Sequence, residues 1–138
     1  MTLRPFLLAA AAAASLLACA AIPASKEFQL ENTLNAYAGV IRWGNFEEAA
    51  SFINPEVLHA HPLSDLDVER YHQVRVTVYS EGPPRYVNDT EVHQTVEIGI
   101  VNNNTQAARS IIDNQVWHYE AKDKRWWLMS GLPNITGH

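Results

Sequence analysis

The spacing of apolar residues changes once along this chain, and that change limits what it can fold into. Leu30, Leu34, Tyr37 and Ile41 recur at intervals of four, three and four residues, which makes one apolar stripe along a helix of about five turns. From residue 74 the period drops to two. Val74, Val76 and Val78 alternate with Arg75, Thr77 and Tyr79, and Val92, Val96, Ile98 and Ile100 alternate with Glu91, His93, Thr95 and Glu97. A helical period buries a stripe, and an alternating period buries one face of a sheet. A chain with the first and then the second lays its helices over one side of an antiparallel sheet. The expected fold class is α+β, with N-terminal helices packed on a curved antiparallel sheet of about four strands.

Local signals fill in this outline. Ser25 suits the N-cap of the first helix and Gly44 its C-terminal cap. Asn45, with Glu48 three places on, opens a second helix that packs through Phe46, Ala49, Ala50 and Ile53 and stops at Pro55. The stretch "EVLHAHPLSDLDVERYHQ" reads as a loop or short helix start, and "EGPP" and "NNN" turn the chain between strands. A third strand follows over residues 106–119 and a closing one over 126–130. The even-numbered face is expected to be the covered one in the first three strands. That puts Glu97, Arg109 and Asp113 outside.

The N-terminus says where such a chain goes. Arg4 is followed by an apolar run over residues 6–17, relieved only by Ser15, and then by small residues at Ala18, Ala20 and Ala21. This is a secretory signal, too short to span a bilayer. Two cuts fit it. Ala18-Cys19-Ala20 is an A-x-A site, whereas Leu16-Leu17-Ala18-Cys19 resembles the bacterial lipobox, in which the cysteine receives a diacylglycerol and becomes the first mature residue. Cys19 is the only cysteine. An exported chain ordinarily pairs its thiols, so a lone one points to the second cut. The expected organisation is a lipoprotein signal peptide over 1–18, a short lipidated tether over 19–25 and one cone-like α+β domain over 26–138. Ala20 stands where an aspartate resembles an inner-membrane retention signal, so the resemblance places the anchor, with its palmitate-type acyl chains, in the outer membrane facing the periplasm. Residues 20–25 reach about 20 Å at most, which keeps the domain close to the bilayer.

Composition excludes some classes of partner. Residues 1–18 carry Arg4 as their one charge, so their removal takes the formal charge from −5 to −6. No block of like charge stands out, and nucleic acid is not an expected partner. The expected partners are the membrane, through the anchor, and a second copy or another envelope protein.

The stretch "YAGVIRWGNFEEAASFINPE", with a later meander ending "WWLMSGLP", resembles the nuclear-transport-factor-2-like superfamily, a cone-shaped fold also found in ketosteroid isomerase and scytalone dehydratase. The resemblance runs from about residue 28 to 133. It implies the cone and leaves function open, because members of the superfamily include enzymes, ligand carriers, dimerisation modules and lipoproteins. An isomerase-like site needs a carboxylate inside the cone beside an oxyanion donor. With Asp113 and Glu97 expected outside, the reading is a non-catalytic binding or scaffolding role with no cofactor. The alternatives are a carrier for a small apolar ligand and an isomerase- or dehydratase-like enzyme.

Three groups of residues are candidates for a site. Tyr37, Gln94, Asn114 and His118 are placed to line a pocket at the open end of the cone, the alternative being that they satisfy one another or a buried water. Tyr79, Ile111, Trp117 and Tyr119 fall on the expected outer face, where large apolar groups mark an association surface. His59 and His61, ahead of Asp65 and Asp67, have the residue types of a metal site without a specific spacing. The plainer reading of these four is a polar loop and a helix start.

Overall fold

A computed structural model describes residues 24–137, so the signal peptide, Cys19 and most of the tether lie outside the described residues. Helix α1 (Lys26–Arg42) begins where Ser25 Oγ accepts a hydrogen bond from the Phe28 amide, and it buries Leu30, Leu34, Tyr37, Ala38 and Ile41. Leu30, Leu34 and Ile41 are each worth about 1.5–3 kcal/mol once fully buried. Gly44 takes a φ of 72°, a left-handed turn that glycine adopts without a Cβ penalty. Asn45 then caps α2 (Phe46–Ala49) by accepting from the Glu48 amide, and a 3-10 turn (Ala50–Phe52) follows.

The second helix and its 3-10 turn end before Pro55, as expected, and Pro55 itself starts a further helix, α3 (Pro55–Ala60), capped by Asn54, because proline's fixed φ and missing N–H suit a first helical position. In α4 (Asp65–His72) Ser64 and Asp67 form a reciprocal capping box.

The sheet contains β1 (Val74–Glu81), β2 (Arg85–Asn88), β3 (Glu91–Asn102), β4 (Ala108–Glu120) and β5 (Arg125–Leu128). Its order is β1-β3-β4-β5, with β2 also paired to β3. Strands β1 and β2 lie end to end along one edge of β3, broken by Gly82, Pro83 and Pro84. Prolines have no amide to give a ladder and suit such a break. The register slips between Val76 and Val78 and again between Tyr86 and Asn88. Each extra residue adds bend and twist. The result is a curled antiparallel half-barrel with the helices on its concave side, a cone-like α+β fold.

The first bulge depends on Gly99, which pairs with Val78. A Cβ there would stand 2.9 Å from Thr77 Oγ1 and 3.1 Å from Val78 Cβ. Gly99→Ala is therefore expected to lower stability by about 1–3 kcal/mol through overpacking, read as a lower urea midpoint at unchanged slope.

Two register facts correct the expected faces. In β3 the even face is inward as anticipated, with Val92, Gln94, Val96, Ile98 and Ile100 buried. The loop into β4 leaves four residues between Asn102 and Ala107, whose backbones hydrogen-bond, so even positions on β3 stand opposite odd ones on β4, as in Val96 with Asp113 and Gln94 with Gln115. Cross-strand partners share a face. The odd residues Ile111, Asp113, Gln115 and Trp117 are thus the buried ones, while Ile112 and Asn114 face out. In β1 the bulge reverses parity, which turns Tyr79 inward and leaves Val78 exposed.

Candidate functional site

These registers redistribute the candidate residues. Tyr37 and Gln94 are inside, but Asn114 is exposed on the back of β4, accepting a hydrogen bond from Thr95 Oγ1 at 3.0 Å. His118 stands on that same outer side, opposite Glu91 and Trp127 in the neighbouring strands. The four do not share one pocket, because the even face of β4 looks away from the helices.

The expected association surface is likewise not a surface. Tyr79, Ile111 and Trp117 are buried in the core, and half-buried Tyr119 packs against Trp126 at 5.4 Å between ring centroids. Of the adjacent tryptophans, Trp126 is buried and donates through Nε1 to the Lys26 carbonyl at 3.0 Å. Trp127 turns outward beneath the Arg125 guanidinium, 3.6 Å from its ring centroid.

His59 and His61 are exposed, and Asp67 is engaged by Ser64 at the start of α4. No group of three or more metal-ligating side chains comes together among the described residues.

Two polar features lie within the concave side. The first is enclosed. Gln115 Nε2 donates to Asp113 Oδ2 at 2.9 Å and to the Tyr79 hydroxyl at 3.0 Å, while its Oε1 accepts from Trp117 Nε1 at 3.1 Å. Tyr37 packs edge-on against the Trp117 ring, and its own hydroxyl is buried without a protein partner. Burial pushes the Asp113 carboxyl up to about 6, an effect that the Gln115 hydrogen bond partly offsets. Burial also raises Tyr37 well above the usual phenol range, with the Asp113 charge adding to it. Tyr71 is raised to about 12, chiefly by burial.

The second feature is open. A cavity of about 390 Å³ lies between α1 and the β1–β3 edge of the sheet, lined by Glu27, Leu30, Glu31, Leu34 and Asn35 on the helix and by Glu81, Gly82, Pro84, Tyr86 and Gln94 opposite. Its size falls in the range of small-molecule sites. Gln94 is 5% exposed, and its Nε2 donates to the Gly82 carbonyl at 2.9 Å. That bond fixes the amide, and Oε1 is left buried without a partner. Burial, and then the Glu27 carboxylate, raise the Tyr86 hydroxyl above its ordinary value. Asp113 is not among the lining residues.

Sequence reasoning reached Gln94 and missed the acidic wall around it. Glu27, Glu31 and Asn35 recur every four residues beside the Leu30–Leu34 stripe, a signal that reads equally as a solvated helix face. No protein-family model matches the chain, and no curated protein matches it.

Proposed function

We propose that the protein is a bacterial envelope lipoprotein whose nuclear-transport-factor-2-like domain binds a small ligand without catalysis, held by Cys19 at the outer membrane on its periplasmic side. The observation that carries the binding role is the open cavity of about 390 Å³ between α1 and the sheet, in which Leu30, Leu34, Pro84 and Tyr86 form an apolar wall beside the carboxylates of Glu27, Glu31 and Glu81. A concavity of this size with a few convergent polar groups is what orients a small ligand. The superfamily reading draws on the helices-then-meander order, the Gly44-Asn45 joint and the closing Trp126-Trp127 strand. The location draws on the lipobox-like Leu16-Leu17-Ala18-Cys19.

Native mass spectrometry of the full chain extracted from membranes tests the binding role. A discrete small-molecule adduct is the expected result, and bare protein in every preparation overturns it. For the anchor, Cys19→Ser is expected to move the chain from the membrane pellet to the soluble fraction and to abolish the diacylglycerol mass. An unmodified amino terminus beyond residue 19 in the wild-type product would sink the lipoprotein reading.

A second, isomerase- or dehydratase-like reading is favoured by one observation: Asp113 stands on the inner face of β4. It is the weaker of the two. The carboxylate is tied to Gln115, it lies outside the lining of the open cavity, and His118 is on the opposite side of the strand.

A further inference from the structure

We infer that the end of the domain where α1 begins is a membrane-contact face, which lies on the anionic headgroups of the phospholipid leaflet that holds Cys19. This rests on the reading of Cys19 as the lipid anchor and adds an orientation to it. Three segments meet at this end. Lys26 Nζ donates to the Asp89 carbonyl at 3.1 Å in the turn between β2 and β3, and the Lys26 carbonyl accepts from Trp126 Nε1 on β5. The Thr90 carbonyl accepts from the Tyr119 amide at 2.8 Å, which brings in the end of β4 and the turn after it. Lys26, Lys122 and Lys124 are the three lysines of the chain, and all stand here beside Arg125. Phe28 is 55% exposed and Val87 53%, and Trp127 turns outward under Arg125.

Lysine with aromatic and aliphatic groups is the mixture that settles at a bilayer surface, the rings at headgroup level and the ammonium groups reaching phosphate. Charge on the rest of the domain points the same way. Residues 26–28, 86–90 and 119–127 carry four cations and four carboxylates, whereas the other described residues carry five cations and eleven carboxylates, a net of −6. An anionic surface attracts the lysine-bearing end and repels the remainder, and so turns the domain. The tether selects lipid as the occupant. Residues 20–25 reach about 20 Å at most from the anchored cysteine and end at the first turn of α1, so this end is held within that reach of the leaflet. Trp43, 90% exposed beyond the far end of α1, is about 25 Å away along the helix axis, and the proposed orientation leaves it in water.

The test footprints the full acylated chain in nanodiscs of phosphatidylethanolamine and phosphatidylglycerol, with the Cys19→Ser chain free in solution as reference. Hydroxyl radicals read Phe28, Trp127 and Trp43, and a membrane-impermeant acetylating reagent reads Lys122 and Lys124. Phe28, Trp127 and both lysines are expected to react at least about fivefold more slowly on nanodiscs, the factor by which one lysine's attraction to an anionic surface shifts a contact equilibrium. Trp43 is expected to react at the same rate in both. Added salt is expected to weaken the protection. Lys122→Glu with Lys124→Glu, in an exposed turn, is expected to abolish the protection of Phe28 and Trp127 while the chain stays in the membrane pellet. Phe28→Ser, at an exposed position of α1, is expected to weaken the protection of the two lysines.

Full reactivity of these four residues on nanodiscs, protection that extends equally to Trp43, or protection that survives both variants overturns the membrane face. Protection found in native membranes and missing on lipid alone assigns this end to a protein partner and overturns it as well. Failure of the anchor is a separate result, an intact mass without the acyl groups.

Discussion

Gln115→Leu is expected to destabilise the protein by about 3–5 kcal/mol, near the upper end for a single substitution. Leucine matches glutamine closely in volume, so the loss is not a cavity effect. Gln115 is 1% exposed, and its amide serves Asp113, Tyr79 and Trp117 at once. Removing it strands a buried carboxylate, a buried hydroxyl and the Trp117 N–H with no water to replace the amide. Each unpaired neutral group costs roughly 1–3 kcal/mol and a charged one more. The three losses are not additive, because the neighbours relax together. Urea unfolding at neutral pH checks the total, and a loss below about 1 kcal/mol would mean that water reaches the cluster. Asp113→Asn is expected to recover more stability in the Gln115→Leu background than it adds to the wild type, since there it removes a charge that has lost its hydrogen bond. Equal gains in the two backgrounds would show that the two residues do not communicate.

This cluster was the least legible part of the sequence, for a specific reason. The α1 stripe was readable because helix geometry fixes which residues share a face, and Leu30, Leu34, Tyr37 and Ile41 are all buried. The caps at Ser25 and Asn45 were readable because few side chains can satisfy free helix amides. Faces along a sheet are different, since one residue of slip inverts every later side chain. Alternation within β3 therefore gave its inner face, but carrying that face into β4 required the number of loop residues after Asn102. An even number pairs even with odd positions, and four lie between Asn102 and Ala107. The bulge at Val76 and Val78 left no comparable mark in the sequence except Gly99, the residue opposite it. The candidate site failed in step with the parity. Gln94, on β3, was placed correctly, while Asn114 and His118, on β4, were placed on the wrong side together with Tyr79, Ile111 and Trp117.

The same inversion produces the second large effect, a stability that falls as pH rises. Asp113 is held at about 6 in the folded protein, primarily by burial, against about 3.9 for an aspartate in an unfolded chain. Between those values the folded state keeps a proton that the unfolded state has released, so its stability declines as pH rises through that window and levels off above the folded value. The difference of about two units corresponds to roughly 3 kcal/mol carried as a penalty at neutral pH and absent below about pH 4. Asp113→Asn keeps the shape and the acceptor for Gln115 while removing the charge. It is expected to raise stability by about 1–3 kcal/mol at pH 8, the lower end reflecting exchange of a charge-assisted hydrogen bond for a neutral one. At pH 4, where wild-type Asp113 is itself neutral when folded, the two proteins are expected to unfold at nearly the same urea concentration. Measured across that range, the gap between their unfolding free energies should open as pH climbs toward about 6. A variant less stable than wild type at pH 8, or a gap that ignores pH, would mean that the Asp113 carboxylate is solvated or paired by a group other than Gln115. In either case the penalty assigned to its burial does not exist.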